Sequence, residues 1–212
     1  MSTLREISRQ WNIPLVKAHE INGNIDEVMS SIRQMEGVEG FVFRFPNGMM
    51  YKCKTELYCS MHTAKDGINF EKNVLGIVVN EQTDDHLALL YGDDKERLEK
   101  FNNDVLHQMM KKADELFWIA QAAFDNYNGS KRDFSIKTVQ NHSVKNEHGI
   151  LFKIWDMLDD DGCTVQDAYE LVRKTVINHS GASSTQTKVN SIRNLFGNLN
   201  WYDYFQHVDM DG

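Results

Sequence analysis

Residues 40–54 have the sequence GFVFRFPNGMMYKCK, and this stretch decides the first part of the fold. On both sides of Pro46-Asn47-Gly48 the side chains alternate in character, which is typical of strands with one buried face. Pro-Asn-Gly suits a type I turn whose glycine has a positive φ, closing a three-residue loop. A two-residue loop would shift the register by one residue and mix the two faces. The sequence therefore predicts an antiparallel hairpin whose second strand runs from Met49 to Tyr58, with residue 45 opposite 49, 43 opposite 51 and 41 opposite 53.

This register gives the predicted hairpin an apolar face and a basic face. On the basic face Lys52 and Lys54 lie about 7 Å apart, because side chains on one strand face repeat every second residue. Arg44 lies across the hairpin on the same face. Three cations together form a candidate anion site, since a phosphate group needs several positive donors. A solvated strand face is the alternative. The apolar face carries Phe41, Phe43, Phe45, Met49, Tyr51 and Cys53.

Glu39 lies directly before the hairpin and adds a carboxylate near the two lysines. A carboxylate beside phosphate-binding cations indicates either a metal ion or a salt bridge. A surface or paired acid is the simpler interpretation from spacing alone. Strict alternation places Glu39 on the apolar face, unless Gly40 bends the strand.

The rest of the chain predicts an α+β fold in two domains. Before the hairpin we expect a helix over residues 2–11, a strand over 13–21 and a helix from Asn24 to about residue 35. We place a mixed, β-rich domain at 1–92 and an all-helical domain at 93–212. The apolar periodicity of the second domain predicts helices over residues 94–127, 133–139, 147–158, 165–180 and 187–196. Thr164, with Asp167 three residues later, predicts a capping box at the start of the helix over 165–180. Trp118, Trp155 and Trp201 lie on apolar stripes and are expected to be core residues.

Composition excludes several classes of protein. The 212 residues are 41% hydrophobic and 25% charged, as in ordinary globular proteins. The formal net charge of −8 excludes a chain-wide basic field for nucleic acid, so such binding needs a local patch. No apolar run is long enough to cross a membrane, and no signal peptide is evident. Three cysteines without a Cys-x-x-Cys motif favour a reduced, cytoplasmic compartment.

Residues 38–62 resemble motifs IV and V of the covalent nucleotidyltransferases. The form is similar to that of the bacteriophage RNA ligase 1 family, the T-even phage ATP-dependent RNA ligase. The resemblance is carried by VEGFV at 38–42, the Pro-Asn-Gly turn, MYKCKTELY at 50–58 and SMH at 60–62. The predicted strand and helix over 13–35 and the helical tail also follow the order of that family. The first domain is thus expected to be part of a nucleotidyltransferase domain.

The resemblance implies an ATP-dependent RNA ligase. Such enzymes attach AMP to a lysine, pass it to a 5′-phosphate RNA end and then join that end to a 3′-hydroxyl, as in RNA or tRNA repair. Lys52 and Lys54 would hold the nucleotide phosphates, with Arg44 beside them, and Glu39 would help to hold a catalytic Mg²⁺. These roles agree with phosphoryl-transfer catalysis by positioning and charge neutralisation. The host-cell cytoplasm is the expected location if the chain is phage-encoded.

The nucleophile of the family is absent. It is the lysine of a Lys-x-Asp-Gly motif that precedes motif IV, and Lys17 is the only lysine before Glu39. Lys65-Asp66-Gly67 lacks the intervening residue and follows motif V, so we interpret it as a surface turn. The resemblance therefore implies the C-terminal part of a ligase, inactive alone and dependent on a missing N-terminal half. Removal of the neighbouring strands predicts exposed apolar surface in residues 1–92.

A locally basic stretch offers a candidate RNA contact. Residues 131–153 contain five cations and two acids, in a chain that is acidic as a whole. A solvated helical surface is the alternative for each of these cations. Two further hypotheses about the whole chain are a non-catalytic RNA- or tRNA-binding module derived from such a ligase, and a degenerate fragment that merely folds. The candidate RNA-binding residues are Lys131, Arg132, Lys137 and Lys145.

Overall fold

The computed structural model describes residues 2–21, 23–160 and 162–205. The chain is mixed α and β and mostly helical, and the described part contains one two-stranded antiparallel sheet. It divides into two compact units, Met1–Ser60 and Met61–Gly212. The predicted boundary near residue 92 lies inside the second of these units. The larger assignment of residues 1–92 to a nucleotidyltransferase domain stays a prediction.

The first unit is built around the hairpin. Its elements are α1 (Ser2–Trp11), α2 (Ile25–Arg33), β1 (Gly40–Arg44), β2 (Met50–Lys54) and the start of α3 (Glu56–Gly67). The helices α1 and α2 confirm two sequence predictions. As predicted, Asn24 caps α2, because its side chain accepts a hydrogen bond from the Asp26 amide at 2.9 Å.

The hairpin has the predicted register. Phe41 pairs with Cys53 and Phe43 pairs with Tyr51. Gly48 has a φ of 86°, the positive value that the three-residue loop requires. The alternation of side chains and the Pro-Asn-Gly turn were therefore sufficient to predict this pair of strands.

The apolar face of the hairpin is covered only in part. Phe43 and Cys53 are buried against Ile32 of α2, and these three residues form the buried core of the first unit. At the open end Met49 is 63% exposed and Tyr51 is 50% exposed. The first unit therefore has a small core for its length.

Two predictions about the first ninety residues are wrong. Residues 13–21 have no regular secondary structure, because a strand needs a hydrogen-bonded neighbour and only β1 and β2 are paired in the described chain. The strand predicted to reach Tyr58 ends at Lys54, and helices begin at Glu56. Residues 56–92 are thus largely helical, whereas the sequence placed the change to helix near residue 93.

The second unit is all-helical among its described residues. The predicted capping box of α9 is present, with the Thr164 side chain and the Asp167 carboxylate each accepting from the other's backbone amide. No helix in the described ranges is long and apolar enough to cross a membrane. The α-helices are the rest of α3, α4 (Glu71–Val79), α5 (Thr83–Leu89), α6 (Asp93–Tyr127), α7 (Lys131–Asp133), α8 (His148–Asp160), α9 (Val165–Ile177) and α10 (Gln186–Ser191). A π-helix (Phe134–Val139) continues α7, and 3₁₀ turns lie at Lys145–Glu147, Arg193–Phe196 and Trp201–Phe205.

The long helix α6 forms the centre of the second unit. It packs against α8, α9 and the 3₁₀ turns near the C-terminus. Trp155 and Trp201 are fully buried, as predicted for aromatic residues on apolar stripes. Trp118 was also predicted to be a core residue, which is wrong, because it is 58% exposed and donates from its indole N–H to Asp114. The buried stripe of α6 is Leu98, Phe101, Val105, Met109, Ala113, Leu116, Phe117, Ala120 and Ala123.

A buried ion pair joins the two ends of the second unit. The Glu71 carboxylate is fully buried at the start of α4. Both of its oxygens accept from the Arg193 guanidinium, at 2.7 and 2.6 Å. The backbone amide of Trp201 donates to the same carboxylate at 2.9 Å, and Gln186 adds a further hydrogen bond. A bidentate guanidinium with additional donors is the arrangement in which a buried carboxylate is stable.

We expect Arg193→Ala to destabilise the chain by about 3–5 kcal/mol, because it leaves the buried Glu71 carboxylate without its cation. Urea denaturation followed by circular dichroism measures this loss. Lys188→Ala is the matched control on the neighbouring exposed helix, with an expected change within about 0.5 kcal/mol. Equal midpoints for the two variants would contradict the role assigned to the ion pair.

Candidate functional site

Gly40 determines where Glu39 points. Its φ of 150° is a conformation that residues with side chains rarely adopt. A Cβ atom at this position would lie 2.1 Å from the carbonyl oxygen of Cys53 and 2.7 Å from the Cα of Lys54. Only glycine therefore fits at this end of β1. The strand bends here, and Glu39 lies on the basic face rather than on the apolar face that strict alternation gives.

Glu39 and Lys52 form an ion pair on this face. The Lys52 Nζ atom donates to Glu39 Oε1 at 2.7 Å, and the side chains are 54% and 45% exposed. Exposed ion pairs contribute little to stability, about 0–1 kcal/mol. The contact therefore orients the two side chains more than it stabilises the fold. The sequence left two interpretations of Glu39 open, a metal ligand or a partner in a salt bridge. The structure shows the salt bridge, with Lys52.

Tyr58 is a site residue that the sequence analysis did not single out. The buried Thr55 hydroxyl donates to the Val38 carbonyl at 3.0 Å and accepts from the Tyr58 amide at 3.3 Å, so it caps α3 and joins it to the strand. This cap places the Tyr58 hydroxyl in hydrogen-bond contact with Glu39. The Lys54 ammonium lies 4.7 Å from the centroid of the Tyr58 ring. A threonine three residues before the tyrosine was the available signal, because that spacing is typical of a helix N-cap.

The charges of the site reinforce one another. The hydrogen bond from Lys52 lowers the pKa of the Glu39 carboxyl below its ordinary value. The same hydrogen bond raises the pKa of the Lys52 ammonium. Partial burial, followed by the nearby Glu39 charge, raises the pKa of Tyr58. Both members of the ion pair are therefore charged at neutral pH, and Tyr58 keeps its proton.

Arg44 completes the predicted set on the basic face. It lies opposite Met50 in the ladder, on the same face as Lys52 and Lys54, and is exposed. The face thus carries Arg44, Lys52, Lys54 and the Glu39 carboxylate. Such a surface can bind an extended anion, since positive donors lie along it and one of them is already oriented.

The face offers a metal ion the Glu39 carboxylate, without a larger cluster of ligands among the described residues. Among the described residues, no three His, Cys, Asp or Glu side chains come together in a way that could hold a metal. Glu39 brings a carboxylate to the face, and Lys52 and Tyr58 contact it. Proteins hold Mg²⁺ with one or two carboxylates together with substrate phosphates. The Mg²⁺ site at Glu39 therefore stays a prediction, and the three cations suit an anion.

The predicted RNA-binding residues lie in the second unit, and half of them are paired with acids. Lys131 forms an ion pair with Asp156. Lys137 Nζ lies 3.0 Å from Asp133, one helical turn away. Arg132 lies on α7 and Lys145 begins a 3₁₀ turn; both are exposed. Arg132 and Lys145 are thus the better candidates for an external anion.

Lys65-Asp66-Gly67 is the end of a helix. These residues form the last turn of α3, so the prediction of a separate surface turn is wrong. The Lys65 Nζ atom lies 3.5 Å from Asp94 Oδ2 and forms an exposed ion pair. The structure thus gives this segment a local structural contact.

Comparison with known proteins does not identify a relative. No protein-family model, no curated protein and no solved structure matches the chain. The functional assignment therefore depends on the hairpin itself.

We expect Gly40→Ala to disrupt the hairpin, because the new methyl group would meet the backbone of the opposite strand. Hydrogen exchange of the amides in residues 40–54 should accelerate by more than about tenfold, since backbone strain of this kind alone costs about 1–3 kcal/mol. Gly23→Ala is a matched control, because Gly23 has a φ of 149° but nothing within 4 Å of an added Cβ. Unchanged exchange in Gly40→Ala would show that this contact does not hold the strand.

The Glu39 carboxyl should titrate below its ordinary pKa of 4.5, because protonation breaks the bond to Lys52. A folded-state pKa below the unfolded value means that the stabilisation is present at neutral pH and is lost as the pH falls through the folded-state pKa. NMR titration of the Glu39 carboxyl measures its pKa, and Lys52→Ala should raise the titration midpoint. Lys17→Ala, which removes a lysine elsewhere in the unit, should not. An unchanged midpoint in Lys52→Ala would contradict the ion pair.

Proposed function

We propose that the chain is the C-terminal portion of an ATP-dependent RNA ligase, which joins 5′-phosphate and 3′-hydroxyl RNA ends through adenylylated intermediates. The observation that carries this proposal is the grouping of Glu39, Lys52 and Lys54 on one exposed sheet face. These are the residues that resemble motifs IV and V of the bacteriophage RNA ligase 1 family. Their proximity depends on Gly40, the second residue of the Glu-Gly pair.

Each residue of the face has a role that its geometry supports. Lys52 and Lys54 bind phosphate oxygens and offset their negative charge as the nucleotidyl group is transferred. Glu39 accepts a hydrogen bond from Lys52, and Tyr58 contacts Glu39 from the start of α3. Arg44 extends the positive face for a further phosphate. ATP supplies the AMP that activates the RNA end, and the residue that accepts this AMP belongs to a second polypeptide half.

The surface of the first unit supports the need for such a half. Trp11 is 68% exposed and Val16 is 94% exposed, and large apolar residues of a well-packed core are far less exposed. Residues 13–21 have no regular secondary structure. A partner that pairs with this segment and covers these side chains would complete the small core. Among the residues before α2 whose burial is described, the other exposed large apolar residues are Ile7, Ile13, Leu15 and Ile21.

A non-catalytic RNA- or tRNA-binding module is the second candidate. It is favoured by Arg132 and Lys145, for which the structure records no acidic partner among the residues it describes, unlike Lys131 and Lys137. In this case the helical unit would bind the RNA backbone, and the hairpin lysines would be solvated surface residues. The two candidates predict opposite effects for the same substitutions.

We expect the chain alone to take up no label from α-labelled ATP and Mg²⁺, and to seal nicked or broken RNA only with an N-terminal ligase half of the family. Lys52→Ala and Lys54→Ala should each lower the rate of sealing at least about 100-fold, the usual cost of removing a group that stabilises transition-state charge. Denaturing electrophoresis of labelled protein and RNA gives both measurements.

Lys65→Ala is the matched control, since it removes a lysine that pairs with Asp94 outside the hairpin. Label on the unpartnered chain would overturn the proposal and indicate a different nucleophile. Sealing that is insensitive to both hairpin lysines would also overturn it. RNA binding that weakens on charge reversal at Arg132 and Lys145, without any sealing, would support the binding module.

A further inference from the structure

The basic face of the hairpin already holds an anion of its own. The Glu39 carboxylate accepts from the Lys52 ammonium at 2.7 Å, on the face that also carries Lys54 and Arg44. A carboxylate resembles a phosphate group in charge and in its acceptor oxygens, and both bind ammonium groups through the same short hydrogen bonds. Gly40 fixes the position of Glu39, so the contact between Glu39 and Lys52 depends on the backbone conformation of the hairpin.

We propose that Glu39 is an internal competitor for the anion site, because its carboxylate occupies a donor of Lys52 and its negative charge opposes an incoming phosphate. Lys52 is engaged with Glu39, while Lys54 lies over the Tyr58 ring. The Lys52 ammonium has three N–H donors, so an incoming phosphate either shares it with Glu39, against the charge of that carboxylate, or displaces the carboxylate. The inference takes phosphate as the ligand from the proposed function, but it concerns binding and not sealing.

The exposure of the pair makes this displacement easy. Both side chains are about half exposed, so water replaces the lost contact on either side at little cost. The competing contact is weak, and its removal should strengthen phosphate binding by about two- to five-fold, as expected for an exposed ion pair. Both groups are charged at neutral pH, because the ion pair lowers the pKa of Glu39 and raises the pKa of Lys52.

Glu39→Gln tests the competition directly. Glutamine keeps the size of the side chain and removes the charge, and the position is exposed, so the variant should fold normally. Inorganic triphosphate is the probe, titrated in EDTA without divalent metal at low salt. The side-chain NMR signals of Lys52 and Lys54 in the full chain report binding. We expect the dissociation constant of Glu39→Gln to be about two- to five-fold below that of the unmodified chain.

Two controls separate this effect from a change in overall charge. Glu36→Gln makes the same change at an exposed acid outside the hairpin and should leave the affinity unchanged. Addition of Lys52→Ala to Glu39→Gln should remove the gain. Equal affinities for the Glu39 and Glu36 variants, weaker binding by the Glu39 variant, or no response of Lys52 in either chain would overturn the inference.

The sealing assay distinguishes the two proposals. A gain in triphosphate binding, together with sealing that does not need Lys52, would leave the competition intact and overturn the proposed ligase function. Loss of sealing in Lys52→Ala without any gain in Glu39→Gln would support the ligase function and overturn the competition.

Discussion

The close approach of Gly40 to the opposite strand governs the geometry of the candidate site. A side chain at this position would collide with the Cys53 carbonyl, so the strand bends where only glycine can lie. The bend brings Glu39 onto the lysine face and within 2.7 Å of Lys52. Thr55 then connects this strand to α3 and brings Tyr58 to the same carboxylate. A single backbone contact thus determines which charged groups meet.

The two units differ in how they bury their polar and apolar groups. The second unit has an extended core and encloses the carboxylates of Glu71 and Glu147, each with cationic or amide partners. The first unit buries few residues and exposes many large apolar side chains. The second unit is thus the better packed of the two.

Local sequence patterns predicted the elements whose formation is local. Alternation and the Pro-Asn-Gly turn were enough for the register of β1 and β2, and Thr164 with Asp167 was enough for the start of α9. The pattern failed over residues 13–21, because a strand forms only beside another strand. It also failed over residues 56–92. The apolar run of α4 is a buried helix, and a short apolar run rich in β-branched residues can equally be a buried strand.

For the candidate site, the sequence by itself determined the face shared by Lys52, Lys54 and Arg44, because side chains on a strand repeat every second residue. Only the tertiary structure decided the direction of Glu39 and the contact with Tyr58. Both depend on atoms that are distant along the chain: the opposite strand that Gly40 touches, and the helix that Thr55 caps. The buried ion pair of Glu71 and Arg193 likewise joins residues that are 122 positions apart in the chain. Periodicity sets the face of a side chain, but its charged partner is set by packing between segments that the sequence does not bring together.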